Sequence, residues 1–351
     1  MEYNGRFWSK FWNGSNNKTK KNSITVPTIL DRGLARAIIY PFEYAKILIQ
    51  IGYEPLEPVS GRSLLGHATL FYPNLVEYTM YIYQRDGFLG LYRGFLPWLF
   101  GYALGDFVYQ EVTKLIHFEG DTPDSAGLPL PGIPGPFMSE FQFAEEDVSD
   151  ESLKNFLQKL AKYLAGRLAS IIACQPFMVV ATRMCGQFVG RETLYKGILP
   201  SVREIFSREG IQGFFAGIIP RLIGEFFALV ISGSFAFAVN WFVKRGSLRE
   251  CVSLAFSVFV SRIAYPLQTV STTMAINNSR IEAGLHPFTP LYGNWYECWR
   301  DLRQKNQSMR GANVFFRAFT GPQTIINDVA YPMGPTYPMD FKKIKDLIIK
   351  I

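Results

Sequence analysis

The chain predicts an all-α membrane protein: a bundle of three sequence repeats whose sixth transmembrane helix is missing or degenerate. Three observations lead there. Pro41, Pro176 and Pro266 each sit inside a long apolar helical run, and each is followed by a glycine-bounded motif in the same order. The composition is 48% apolar and 15% aromatic with only 19% charged residues, yet mean hydropathy is just +0.07, as helices lining something polar would give. Finally, no apolar run of 18 residues can be cut from residues 319 to 351, where a sixth span belongs.

The net charge of +7 suits anionic lipid headgroups. No basic-aromatic motif points to nucleic acid as a partner. Cys174, Cys185, Cys251 and Cys298 lack the paired spacing of a zinc or redox site, so each reads as a packed thiol. His67, His117 and His286 lie far apart and form no metal cluster. Neither a catalytic constellation nor a cofactor motif is visible, and the chain reads as a non-enzyme without metal or cofactor.

Residues 1–23 form a basic N-terminal tail, with Arg6, Lys10, Lys18, Lys20 and Lys21 among Phe7, Trp8, Phe11 and Trp12. Its basic character admits a mitochondrial presequence, while the Asn/Gly/Lys run at 13–22 favours a flexible tail with an interfacial aromatic segment. The first repeat covers 24–117. Its first span, 24–52, embeds Arg32, Arg36, Glu43 and Lys46 in apolar sequence; a Pro/Gly loop at 53–73 and an amphipathic helix at 74–86 follow, and the second span, 95–118, holds Asp106 and Glu111. Residues 118–151 carry nine acids, five prolines and no Lys or Arg, so they cannot bury enough surface to fold alone and read as a solvated loop.

The second repeat covers 152–246. Its long span, 152–189, has a polar stripe of Lys159, Lys162, Arg167 and Arg183, of which Lys159 and Arg167 are expected to snorkel. An amphipathic helix at 198–208 precedes the most apolar span, 222–243, whose single charge is Glu225, with Arg221 one turn away to neutralise it. The third repeat, 247–320, is truncated: a span at 248–278 containing Arg262, an amphipathic helix at 292–306, then an irregular tail at 321–351.

The repeats share a signature that decays along the chain. It is complete in Pro41-Phe42-Glu43-Tyr44-Ala45-Lys46 followed by Asp86-Gly87 and Tyr92-Arg93-Gly94. In the second copy Pro176 is followed by Met178 and Ala181, then Gly210 and Gly217; in the third Pro266 is followed by Gln268 and Ser271, then Gly311 and Arg317. The complete copy resembles the mitochondrial carrier signature. With the decayed copies, the stretches 46–56, 186–192, 213–224 and 294–299 and the missing span, the chain is similar to the mitochondrial carrier homolog family, over roughly residues 30–317.

That resemblance implies a carrier-like bundle with a polar groove open sideways to lipid. It also implies a multi-pass protein of the mitochondrial outer membrane that inserts α-helical clients, tail-anchored ones among them, with lipid scrambling as a companion activity and a docking role for apoptotic regulator proteins. The partners it implies are outer-membrane lipids, client proteins and those regulators. The residues support a groove because Lys46, Asp106, Arg183, Glu225 and Arg262 would each cost about 2.5 to 3.5 kcal/mol facing lipid; with Glu43 and Arg221 they are the expected groove residues. A relic ion pair is the plain alternative for Glu43 and Lys46. The alternative function is a degenerate carrier still moving a small metabolite, which the loss of two of the three charge pairs disfavours.

Overall fold

The computed structural model describes residues 26–63, 66–116, 153–242, 246–286, 288–326 and 329–333. The N-terminal tail, the acidic loop and the last eighteen residues therefore lie outside the described residues. The chain divides into two compact units, Met1–Ala35 and Arg36–Ile351; of the first, the described part is the opening of a helix.

Helices dominate. They are α1 (Val26–Gln50), α2 (Leu75–Gly90), α3 (Phe95–Leu115), α4 (Leu153–Gly186), α5 (Ile198–Glu209), α6 (Ile218–Phe242), α7 (Gly246–Ile276) and α8 (Trp295–Gln304), with a 3-10 turn at Gly210–Phe215. The expected spans and amphipathic helices thus stand within a few residues of where the apolar patterning put them. Pro41, Pro176 and Pro266 lie inside α1, α4 and α7, where each removes a backbone donor. Two of the short helices share a start signal: Asn74 and Asn294 are N-caps whose side chains accept from the amides of Glu77 and Glu297, and those glutamates reach back to the asparagines. Among the described residues, two helical stretches, Leu153–Gly186 and Ile198–Val239, are long and apolar enough to cross a membrane by length and composition.

The proline kinks are anchored alike in each repeat, although the third uses the first glycine of its motif, Gly311, where the other two use the last, Gly94 and Gly217. The residue before each proline donates its side chain to a backbone carbonyl that precedes a signature glycine: Tyr40 to Arg93 (2.5 Å), Gln175 to Ala216 (2.9 Å) and Tyr265 to Arg310 (3.0 Å). Two signature glycines then close the seams between repeats. A Cβ on Gly94 would stand 3.0 Å from the Ala181 carbonyl of α4, and one on Gly217 only 2.3 Å from the Ser271 carbonyl of α7. Both have positive φ, +79° and +73°, so glycine is required twice over, for conformation and for space. Beside these seams the core is aromatic: Tyr40, Tyr44, Trp98 and Phe188 are fully buried, and Tyr40 packs edge-on against Phe95 and Trp98 at 5.1 Å.

The expectation of an all-helical fold needs one correction. Residues 53–73, read as loop, contain strands β1 (Val59–Arg62) and β2 (Ala68–Tyr72), which pair antiparallel with Val59 opposite Phe71. The stretch read as the end of the third repeat and an irregular tail supplies β3 (Arg317–Ala318), which adds to β2, and a hairpin of β4 (Gln323–Ile326) and β5 (Val329–Pro332). β1 with β2 and β4 with β5 pair stretches close in the chain, whereas β3 finds its partner about 245 residues away, so tertiary pairing rather than local pattern creates β3.

Candidate functional site

Several ionisable residues of the long helices pair between helices, in combinations the sequence did not announce. Arg36 of α1 donates to Asp106 of α3 at 2.7 Å and lies 5.2 Å over the Tyr102 ring. Arg167 of α4 grips Glu225 of α6 through two bonds of 3.2 Å, with the carboxylate 3% exposed and the guanidinium side chain 24%. Arg167 was expected to snorkel and Arg221 to neutralise Glu225. Instead α4 and α6 run side by side and the partner comes from across the interface, while Arg221 turns to Gln175 (2.9 Å) and keeps a buried Nε without a partner. The hydroxyl of Tyr102 lies within electrostatic reach of Glu43, Arg221 and Arg167, so side chains from α1, α3, α4 and α6 face one interior region.

Glu43 and Lys46 occupy the same interior. They are one turn apart on α1 and both partly exposed. Among the described residues Glu43 has no hydrogen-bonding partner, and the charge acting on it is Lys46. The Lys46 ammonium stands 5.9 Å over the Tyr265 ring on α7, and the Tyr265 hydroxyl in turn senses Glu43, Arg310 and Arg262. Arg262 is exposed and donates to Asn313 at 2.6 Å. It forms one wall of a pocket of about 750 Å³ with Trp295, Trp299 and Arg303.

Arg183 is placed differently from the expectation. It is fully buried, with its guanidinium on both oxygens of Glu209 (2.6 and 2.7 Å) and its Nε on the Ala275 carbonyl (2.9 Å). Arg183 is therefore a tie between α4, the end of α5 and α7, and it does not join the interior polar group. Seven residues after Pro176 it serves the signature acid of its own repeat, just as Arg93 pairs with Asp86 at 2.8 Å in the first. Of the other signature residues, Gly87, Gly210 and Gly311 take left-handed turns at positive φ, and Tyr92 packs on Tyr40 and Phe95.

In the third repeat the acid position is taken by Arg310, a buried guanidinium that burial holds below its ordinary pKa and whose Nε has no partner. Close by, Glu54 accepts from Arg317, the signature basic residue of that repeat, and its second oxygen is buried without a partner. Burial pushes the Glu54 carboxyl up to about 7, with Arg317 and Arg310 pulling the other way. Sequence reasoning missed Arg36 and Arg167 as partners, and passed over Gln175, Tyr265, Arg310 and Glu54. A signal existed for two of these, since Gln175 and Tyr265 stand immediately before a kink proline, where Tyr40 stands in the first repeat.

Comparison with known proteins bears on what this arrangement is for. The chain matches the mitochondrial carrier protein family over residues 29–117 and 153–246. It is 33% identical over 311 residues to mitochondrial carrier homolog 2 of Homo sapiens, covering 87% of this chain and 93% of that protein. Mitochondrial carrier homolog 1 of Mus musculus is 30% identical over 304 residues, 80% of this chain and 73% of its own. A mitochondrial thiamine pyrophosphate carrier of Coccidioides immitis is 24% identical over 270 residues, 74% of each chain.

Proposed function

The chain belongs to the mitochondrial carrier family, among its carrier homologs, and on that premise we propose that it inserts α-helical proteins, tail-anchored ones included, into the mitochondrial outer membrane. Membership places it in a mitochondrial membrane. The outer membrane, the multi-pass arrangement, lipid scrambling and the docking of apoptotic regulators belong to the proposal.

One observation carries it: the complete charge pair of the signature, Glu43 and Lys46, sits partly exposed in the bundle interior, Glu43 unbonded, with the Lys46 ammonium over the Tyr265 ring of α7. In an alternating-access transporter such charges would close rings at the two ends of a central site. Here the matching positions are Met178, Ala181, Gln268 and Ser271, so no ring can form at that end. What remains is a polar track of Lys46, Glu43, Arg36–Asp106 and Arg167–Glu225 along helices otherwise suited to lipid. Among the described residues no helix follows α8, and the side of the third repeat is crossed only by the hydrogen-bonded segment 310–318.

Such a track would lower the expensive step of insertion. A client's polar terminus must cross ~30 Å of hydrocarbon where every unsatisfied polar group costs several kcal/mol. Fixed charges and the water they hold replace that hydration, and the apolar helix leaves sideways into lipid with no energy source required. The same track passes lipid headgroups between leaflets.

The test is insertion of a tail-anchored client into liposomes carrying the purified protein, with Lys46→Glu and Glu43→Gln beside wild type. A change of about tenfold in rate, some 1.4 kcal/mol in barrier, is expected for Lys46→Glu with the fold intact. Wild type that performs like empty liposomes while exchanging loaded metabolites would replace this reading with transport.

A further inference from the structure

Two of the three seams between repeats are closed by the same contact. Gly94 lies on the carbonyl of Ala181 and Gly217 on that of Ser271, and each carbonyl stands five residues after its helix's proline. By that rule the third repeat would set residue 318 against Lys46, five after Pro41. It does not: the residue is Ala318, and Arg317–Ala318 leaves as strand β3 to pair with β2.

The segment 310–318 crosses this third seam held by discrete polar pins. On the α7 side, Tyr265 donates to the Arg310 carbonyl (3.0 Å) and Arg262 to Asn313 (2.6 Å). On the side of the first repeat, the Leu75 amide donates to the Val314 carbonyl (3.0 Å), while Arg317 donates to the Pro73 carbonyl (2.8 Å) and to Glu54. Little apolar surface secures it, because Phe315 and Phe316 are 69% and 76% exposed. Its principal ion pair is also imperfect, with the second oxygen of Glu54 and the Nε of neighbouring Arg310 buried and unbonded. Few buried apolar contacts and strained polar satisfaction mark the segments of a fold that open first.

We propose that segment 310–318 is a strap that swings from the third seam to open the groove sideways, and that Glu54 and Arg317 are the positioning residues that hold it shut. This rests on the groove reading above. Position favours it: one of the strap's pins on α7, Tyr265, carries the Lys46 ammonium over its ring and has its hydroxyl within electrostatic reach of Glu43, so releasing it widens the track where a client helix has to leave.

A reversible clamp tests the idea in the full chain. Phe71 and Ala318 face each other across β2 and β3, in a non-hydrogen-bonded pair because the adjacent bond runs from the Phe319 amide to the Leu70 carbonyl. That spacing suits a disulfide. Phe71→Cys with Ala318→Cys, in liposomes, should insert a tail-anchored client and scramble lipid at least about fivefold more slowly when oxidised than when the same sample is reduced. Arg317→Gln and Glu54→Ala, each of which deletes one end of the contact, should both speed amide exchange in 310–318 and raise the insertion rate. Equal rates from fully oxidised and reduced protein would overturn the strap, and exchange no faster than wild type in both single variants would overturn the clasp. Wild type no better than empty liposomes would instead overturn the insertase reading, and the strap with it.

Discussion

Replacing Arg183 with leucine removes the most deeply buried cation of the described ion pairs, and the structure indicates how much that should cost. The side chain is fully buried, donates to both oxygens of Glu209 at 2.6 and 2.7 Å and caps the Ala275 carbonyl at 2.9 Å. Breaking a buried pair by deleting one partner typically costs about 3 to 5 kcal/mol, since the remaining charge keeps its desolvation without compensation. Glu209 retains 21% exposure, which relieves part of that, while the abandoned Ala275 carbonyl adds roughly 1 kcal/mol or more. A loss of about 3 kcal/mol is therefore expected, read as a shift in equilibrium unfolding in mixed micelles. The double variant Arg183→Leu with Glu209→Leu should recover about 1.5 kcal/mol or more relative to the sum of the singles. If the single change costs under about 1 kcal/mol, or the two changes simply add, the pair does not tie α4 to the end of α5 in the way described.

Other consequences can be checked the same way. Gly217→Ala should destabilise by about 2 kcal/mol or more, because the methyl meets the Ser271 carbonyl and the backbone is left-handed, whereas Gly66→Ala, equally left-handed but with nothing within 4 Å, should cost about 1; equal thermal shifts would deny the close seam. Burial raises Glu54 from 4.5 to about 7 against the pull of Arg317 and Arg310, with Tyr72 and Tyr78 also facing it, so the folded chain keeps a proton that the unfolded chain gives up. That contribution is fully present below about pH 4.5 and lost as pH rises through about 7, on the order of 3 kcal/mol in all, and Glu54→Gln should flatten the profile. Stability–pH curves that coincide for the two proteins would remove Glu54 as the cause.

Much of the helical frame was legible because apolar period and proline placement are local properties. The asparagine caps of α2 and α8, the kinks at Pro41, Pro176 and Pro266 and the turns at Gly87, Gly210 and Gly311 depend on residues within a few positions of one another. Partner choice is not local. Glu225 looked alone on its helix with Arg221 a turn away, yet its ion pair is Arg167, 58 positions earlier, because the α4–α6 interface brings the two together. Arg183 read as a groove charge for the same reason that Lys46 did, an ionisable residue in a span, and only packing separates a tie from a lining residue.

By itself, the sequence determined the three-repeat helical architecture, the family and the loss of the charge pairs from the second and third repeats. Those rest on residue identity and spacing, which survive without coordinates. Tertiary structure alone decided how the third seam is closed. There the pairing of β2 with β3 and the meeting of Glu54 with Arg317 across 263 positions join distant segments. Short strands and isolated polar pairs take their stability from what they face, and a linear pattern does not carry that information.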